Sequence, residues 1–294
     1  MAIKLGGGGG SASQINEVVA LNNTDNVVTL DDGRVYLKGG VFETTTSTYP
    51  LAHSATTYTG TSYYVGSQDI QPRDVTWDGT YFYVLGRQHD SVKKYNASGV
   101  YQNVSFSVAS QEGQPNGITY DGSHLWVIGN ATNKAFKYTT SGTYTGVFFS
   151  TSSETTSSGA SSIAWDGTHF WVADWDTEEV YKYNSAGTYQ NVSFSTSNEM
   201  GTNATITSLA FDGTYLWVNS SNLSKFFAYN LSGVYQNKSV DTSFLNESYP
   251  YGLGAAGSDL YFCGYGQDRL FKFEEAIGVQ SDTSFNGQNY MRVA

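Results

Sequence analysis

The octapeptide Trp165-Asp166-Gly167-Thr168-His169-Phe170-Trp171-Val172 recurs along this chain, and its recurrence limits the possible folds more than any other feature. Close copies are Trp77-Asp78-Gly79-Thr80-Tyr81-Phe82-Tyr83-Val84, Tyr120-Asp121-Gly122-Ser123-His124-Leu125-Trp126-Val127 and Phe211-Asp212-Gly213-Thr214-Tyr215-Leu216-Trp217-Val218. A worn fifth copy, Ala255-Ala256-Gly257-Ser258-Asp259-Leu260-Tyr261-Phe262, lacks the Asp but keeps the Gly, the hydroxyl residue and the aromatic run. Each copy reads as a hairpin: an apolar strand, a tight turn whose Gly accepts positive φ, and a strand rich in aromatic and β-branched residues. The turn glycines Gly79, Gly122, Gly167, Gly213 and Gly257 are spaced by 43, 45, 46 and 44 residues, the period of a propeller blade.

Every repeat continues in the same order. In the first, a third strand runs from Val92 to Tyr95, Asn96-Ala97-Ser98-Gly99 forms a turn, and a fourth strand runs from Tyr101 to Phe106. The turn glycine returns at Gly142, Gly187, Gly233 and Gly278. Four short antiparallel strands per period of about 45 residues predict an all-β fold, a β-propeller of four-stranded blades. A blade cannot bury both faces alone, so it stacks on neighbours and the ring leaves no long free edge. Trp126, Trp171 and Trp217 share one register of the second strand and are expected between sheets as core. Truncating one of them to Ala would then cost about 3–5 kcal/mol.

The segment Tyr58 to Tyr63 matches a fourth strand, with Tyr58 lying 43 residues before Tyr101. The corresponding strand of the last repeat, Val279 to Phe285, is worn. Five blades closed by an N-terminal strand are therefore favoured. Six remain the alternative, because Asp32-Gly33-Arg34-Val35-Tyr36 faintly echoes the hairpin. The expected organisation is residues 1–50 as an N-terminal arm and small β segment, and residues 51–294 as the propeller. In the first part, Gly6 to Ser13 is a flexible Gly/Ser segment, and Val27 to Leu37 reads as a small hairpin that needs something to dock on.

A net charge of -11 leaves nothing to neutralise phosphates and argues against nucleic-acid binding. The lone Cys263 falls in a strand of the last blade and is expected as a buried thiol. Met1 to Leu5 runs straight into Gly6 to Gly10, which is no signal-peptide core, and no window resembles a membrane span. Asn-x-Ser/Thr triplets at Asn96, Asn103, Asn191 and Asn230 are the product of composition and are not read as glycosylated.

Catalytic signatures are scarce. His124 and His169 take the hairpin position that Tyr81 and Tyr215 take elsewhere, and His53 and His89 stand alone. There is no His/Cys metal spacing, nucleophile elbow or phosphate loop, so no enzyme, cofactor or metal is expected. Asp174, Asp176 and Glu178 loosely suggest a calcium cluster but lack the glycine and distant Glu of an EF-hand loop.

Recognition is expected on one face of the disc. The loops joining strands one to two and three to four are monotonous. Those joining two to three change wholly in chemistry, from Gly86-Arg87-Gln88-His89-Asp90 to Ala173-Asp174-Trp175-Asp176-Thr177 to Gly264-Tyr265-Gly266-Gln267-Asp268. Variation confined to one face marks that face for binding. The receptor-binding candidates are Asp174, Trp175 and Asp176, an aromatic platform between carboxylates suited to a sugar ring, with His89, Tyr249, Tyr251 and Tyr265.

The start Met1-Ala2-Ile3-Lys4-Leu5-Gly6 to Ala12, the Thr-rich joint Glu43 to Pro50, and the Trp-Asp-Gly-Thr repeats together resemble virion fibre proteins of tailed phages, especially marine ones. The repeats, over about residues 56–285, are similar to NHL-like propellers. This resemblance implies a virion protein made in the host cytoplasm. Its N-terminal arm would dock on other particle proteins, and its propeller would bind a host-surface receptor, glycan being favoured over protein. It also implies a homo-oligomer, with several weak sites acting together. No catalytic residues carry over. The alternatives are a purely structural virion or head-decoration protein and a polysaccharide-degrading enzyme.

Overall fold

The computed structural model describes residues 27–29, 35–38, 55–68, 71–201, 204–247, 250–276, 280–285 and 288–293. Two short strands come first, β1 (Val27–Thr29) and β2 (Val35–Lys38), and then a long one, β3 (Ala55–Tyr64). Blade 1 comprises β4 (Pro72–Trp77), β5 (Tyr81–Gly86), β6 (Ser91–Asn96) and β7 (Tyr101–Ser107). Blade 2 comprises β8 (Pro115–Tyr120), β9 (Leu125–Gly129), β10 (Lys134–Tyr138) and β11 (Tyr144–Ser150). Blade 3 comprises β12 (Ala160–Trp165), β13 (His169–Asp174), β14 (Glu179–Asn184) and β15 (Tyr189–Ser195). Blade 4 comprises β16 (Ile206–Phe211), β17 (Leu216–Ser220), β18 (Lys225–Tyr229) and β19 (Tyr235–Asp241).

The last three strands in sequence of the ring are β20 (Pro250–Ala256), β21 (Asp259–Gly264) and β22 (Arg269–Ala276), and their sheet is completed by β3. The ring is thus a five-bladed β-propeller closed by its N-terminal strand, as the offset of Tyr58 from Tyr101 requires. Of the run Val279 to Phe285, which the repeat pattern would make a fourth strand of the last blade, Val279 lies outside the described residues and the rest falls elsewhere. Its strand β23 (Gln280–Phe285) pairs with β24 (Gln288–Val293), and β24 pairs with β2. The hairpin β1–β2, registered Val27 to Leu37, therefore belongs to a separate four-stranded antiparallel sheet, β1-β2-β24-β23, and not to a sixth blade. By internal contacts the chain divides into residues 56–274 and a second unit of residues 1–55 with 275–294.

The propeller core is partitioned by the gaps between blades. One hydrophobic cluster fills each gap, because alternate residues of every inner strand face opposite neighbours. Phe82 and Val84 pack toward blade 5 while Tyr83 and Leu85 pack toward blade 2. Trp126, Trp171 and Trp217 are 3%, 0% and 1% exposed. Their indole N–H groups do not go unpaired, since each donates to Oδ2 of the Asp that opens its own hairpin. That Asp also accepts, through Oδ1, the backbone N–H groups two and three residues on, so one carboxylate shapes the turn and tethers the tryptophan. A lysine of the third strand lies over the same rings, Lys137 on Trp126 and Lys182 on Trp171.

Two bulges recur in the blades. In the outer strands, Gly60, Asn103, Gly146, Asn191 and Asn237 occupy one position and all have φ between 52° and 81°. The asparagines at 103 and 191 are thus explained by the left-handed backbone they adopt. Asn96 and Asn230 cap turns, each Oδ1 accepting the N–H groups two and four residues on. In the innermost strands, the register with the second strand slips between Pro72 and Asp74, Pro115 and Gly117, Ala160 and Ser162, Ile206 and Ser208, and Pro250 and Gly252. The extra residues are Arg73, Asn116, Ser161, Thr207 and Tyr251. Among the described residues no helix is long and apolar enough to cross a membrane.

Candidate binding site at the axis

The five inner-strand bulges stand at the ends of strands β4, β8, β12, β16 and β20 that adjoin the chemically varied loops, and there they build one polar and aromatic cluster. Arg73 is its centre. Although only 2% exposed, its guanidinium has no ion-pair partner among the described residues. Its Nε and Nη2 donate to Asn116 Oδ1 at 3.1 and 2.9 Å, and its Nη1 donates to the Tyr265 hydroxyl at 3.1 Å. The Tyr251 ring lies 4.0 Å from Arg73 Cζ, and the Trp175 and Tyr265 rings lie 6.0 Å from it. Tyr251 and Tyr265 pack with ring centroids 4.8 Å apart. The three aromatic residues are half-buried and stand around a buried cation.

Beside Tyr251 sits Asn219, fully buried. Its Nδ2 donates to Thr207 Oγ1 and to the carbonyls of Pro250 and Tyr251, while its Oδ1 has no hydrogen-bond partner among the described residues. A buried acceptor left unmade costs free energy, and the native state tolerates few of them.

One residue further along the inner strands the axis is sealed. Asp74 Oδ2 accepts the Ile118 N–H of blade 2, and Oδ1 faces the Ser208 hydroxyl of blade 4 at 2.8 Å and the Leu253 N–H of blade 5 at 3.2 Å. Ser162 Oγ accepts the Leu209 N–H. The inner strands approach closely enough that a Cβ on Gly117 would stand 2.7 Å from Ser162 Cα. Burial pushes the Asp74 carboxyl up to about 7, against the opposing effect of its hydrogen bonds from Ile118, Ser208 and Leu253. A neutral Asp74 completes the network: Oδ1–H can donate to Ser208 Oγ, whose own proton then goes to the Leu253 carbonyl, 3.1 Å away. Beyond this plug an axial funnel of about 80 Å³ opens toward the Asp-Gly hairpins, with Thr76 and Thr119 among its lining.

The structure separates the candidates read from the sequence. Trp175, Tyr251 and Tyr265 are brought together around Arg73. Asp174 is fully buried and works as a clasp: Oδ1 accepts the N–H groups of Asp176 and Thr177, and Oδ2 accepts the Thr156 N–H at 2.5 Å. Glu112 clasps the equivalent loops of blade 2 through the Gln114, Ala131 and Thr132 N–H groups, and Glu247 those of blade 5 through Gly266 and Gln267. Asp176 is exposed and accepts the Thr156 hydroxyl at 2.9 Å. His89 is exposed in the turn joining β5 and β6. Tyr249 lies outside the described residues. No group of three or more His, Cys, Asp or Glu side chains suited to a metal ion occurs among the described residues. Cys263 is buried, and burial first and the nearby Asp74 charge second hold its thiol well above the usual range.

Arg73, Asn116 and Asn219 escape a reading of loops because they lie on strands. The signal available for the first two was the polar opening of the inner strands, Arg73-Asp74, Asn116-Gly117, Ser161-Ser162 and Thr207-Ser208, where an inner strand should be apolar. As an assembly the cluster sets three half-buried aromatic rings around a buried cation.

No family profile and no curated protein matches the sequence. Solved structures do resemble it. The glutaminyl cyclase of Myxococcus xanthus superposes with a TM-score of 0.59 at 12% identity, covering 75% of this chain and 96% of that one. The virginiamycin B lyase of Staphylococcus aureus gives 0.44 at 15% identity, covering 88% and 84%. The WD40 propeller domain of Doa1 gives 0.47 at 9% identity, covering 76% and 98%. These similarities are of fold: the chain is a β-propeller with repeated blades, and its neighbours include enzymes and non-enzymatic domains alike.

Proposed function

We propose that this propeller is a binding module without catalytic activity, the receptor-binding part of a phage virion fibre, which holds a host-surface glycan at the axial end of its variable face. One observation carries the binding reading: Trp175, Tyr251 and Tyr265, drawn from blades 3 and 5, gather with half-buried rings over Arg73 of blade 1. Aromatic rings with a polar group at their edge suit the apolar face and the hydroxyls of a sugar. The virion part of the proposal rests on the resemblance of the glycine-rich start, the Thr-rich joint and the repeats to tailed-phage fibre proteins.

The test is binding of the full chain to an array of bacterial surface glycans, with Trp175→Ala alongside. Saturable binding that weakens at least tenfold in the variant supports the reading. Absence of binding even by an artificially multimerised protein overturns it and favours a purely structural virion component. Time-dependent shortening of a bound polysaccharide would overturn the non-catalytic half. Detection of the chain in purified particles tests the virion assignment.

A further inference from the structure

We infer that the axial cluster selects a carboxylate-bearing sugar, such as a terminal uronic acid, and that Arg73 takes its carboxylate; this deepens the proposal that the variable face binds glycan and rests on it. A guanidinium that is 2% exposed and has no ion pair among the described residues is costly to bury, because protein interiors retain charges that are paired. Asn116 and Tyr265 take three of its five N–H bonds, and the remaining two have no partner among the described residues. Its present acceptors are a neutral amide and a neutral phenol. A carboxylate replacing the Tyr265 hydroxyl at Nη1 would exchange a neutral hydrogen bond for a charge-assisted one, which is shorter and roughly twice as strong. Tyr265 is half-buried and its bond to Nη1 is only partly buried, whereas the two bonds to Asn116 are buried, so the exchange is placed at Nη1.

The rest of the cluster fits the remainder of the ligand. Trp175 and Tyr251, both half-buried, supply aromatic surface for the pyranose. The chain as a whole carries a net charge of -11 and repels anions at long range, so a preference for an acid has to come from a short-range site of this kind.

The experiment compares three ligands of one shape with the full chain: methyl glucuronide, its methyl ester and methyl glucoside, with binding read by tryptophan fluorescence and by calorimetry. Weak binding of the acid, with a dissociation constant on the order of 1 mM, and at least a tenfold preference over the ester and the glucoside are expected. Arg73→Gln should abolish that preference. Tyr265→Phe, which removes the competing phenol, should raise the ratio of acid to glucoside affinity several-fold. The second variant keeps the test decisive if Arg73→Gln does not fold. Equal binding of all three ligands, lost in Trp175→Ala, would overturn the acid selectivity and leave the glycan-binding reading standing. Loss of acid binding in Tyr265→Phe, or an acid preference intact in a folded Arg73→Gln, would also overturn it. No binding of any of the three, with array binding of neutral glycans intact, would overturn it too. No binding of the three and none on the array would remove both readings.

Discussion

Trp171 Nε1 donates to Asp166 Oδ2 at 2.8 Å, while Oδ1 of the same carboxylate accepts the backbone N–H groups of Thr168 and His169 at 2.8 and 2.7 Å. One short side chain thus connects the turn to the largest buried ring in the gap between blades 3 and 4. Asp166→Ala should destabilise the propeller by about 2–3 kcal/mol and Trp171→Phe by about 1–3 kcal/mol. In a double-mutant cycle by urea denaturation the two should couple by about 1 kcal/mol, and strict additivity would show that the bond contributes nothing. Blade 5 shows how the bond is dispensed with. Ala256 replaces the Asp, Tyr261 replaces the Trp, and Lys272 pairs instead with Asp259 at 3.0 Å.

The buried Asp74 makes stability depend on pH in a direction opposite to that of an ordinary ion-paired carboxylate. Its carboxyl is raised from 3.8 to about 7 in the fold. Between those values the folded state holds a proton that the unfolded chain has released. The stabilisation is therefore complete below about 4 and lost as pH rises through 7. Asp74→Asn cannot titrate. The stability of the natural protein minus that of the variant should fall by about 2–4 kcal/mol from pH 4 to pH 8, and a flat difference would refute the assignment.

The seam between blades 4 and 5 has exchanged a polar pair for an apolar one. Elsewhere a tyrosine of the third strand reaches the loop before its blade, as Tyr138 to Gln111, Tyr183 to Glu154 and Tyr229 to Glu199, at 3.1 to 3.2 Å. Blade 5 places Phe273 and Leu245 at these two positions, and a groove of about 370 Å³ opens there beside Tyr58 and Phe244. Phe273→Tyr alone should cost about 1 kcal/mol, because the added hydroxyl is buried without a partner. Adding Leu245→Gln should restore most of that stability, as read from the thermal midpoint.

Asn191, with φ of 55°, occupies the outer-strand position that Gly60 and Gly146 take in other blades. Asn191→Gly should change stability by less than about 0.5 kcal/mol, whereas Asn191→Val should lose about 1–2 kcal/mol through left-handed strain. Equal stability of the two variants would show that the bulge relaxes freely.

Most of the ring is legible in the sequence. The spacing of the turn glycines favours five blades, the offset of Tyr58 from Tyr101 closes them, and the shared register of Trp126, Trp171 and Trp217 makes them core. These features are local, set within a turn or a strand and then repeated, so periodicity exposes them. Trp175, Tyr251 and Tyr265 were legible as loop candidates, but the tertiary structure alone assembled the candidate cluster. Arg73, Asn116, Trp175, Asn219, Tyr251 and Tyr265 are scattered over nearly two hundred residues, and they gather where ring closure brings five inner-strand bulges to one axis. The same nonlocal packing made Asp174 a buried clasp, and it left the final strands to pair with the N-terminal hairpin. A repeat reports what each blade does alone, and convergence at the axis depends on how the blades close on one another.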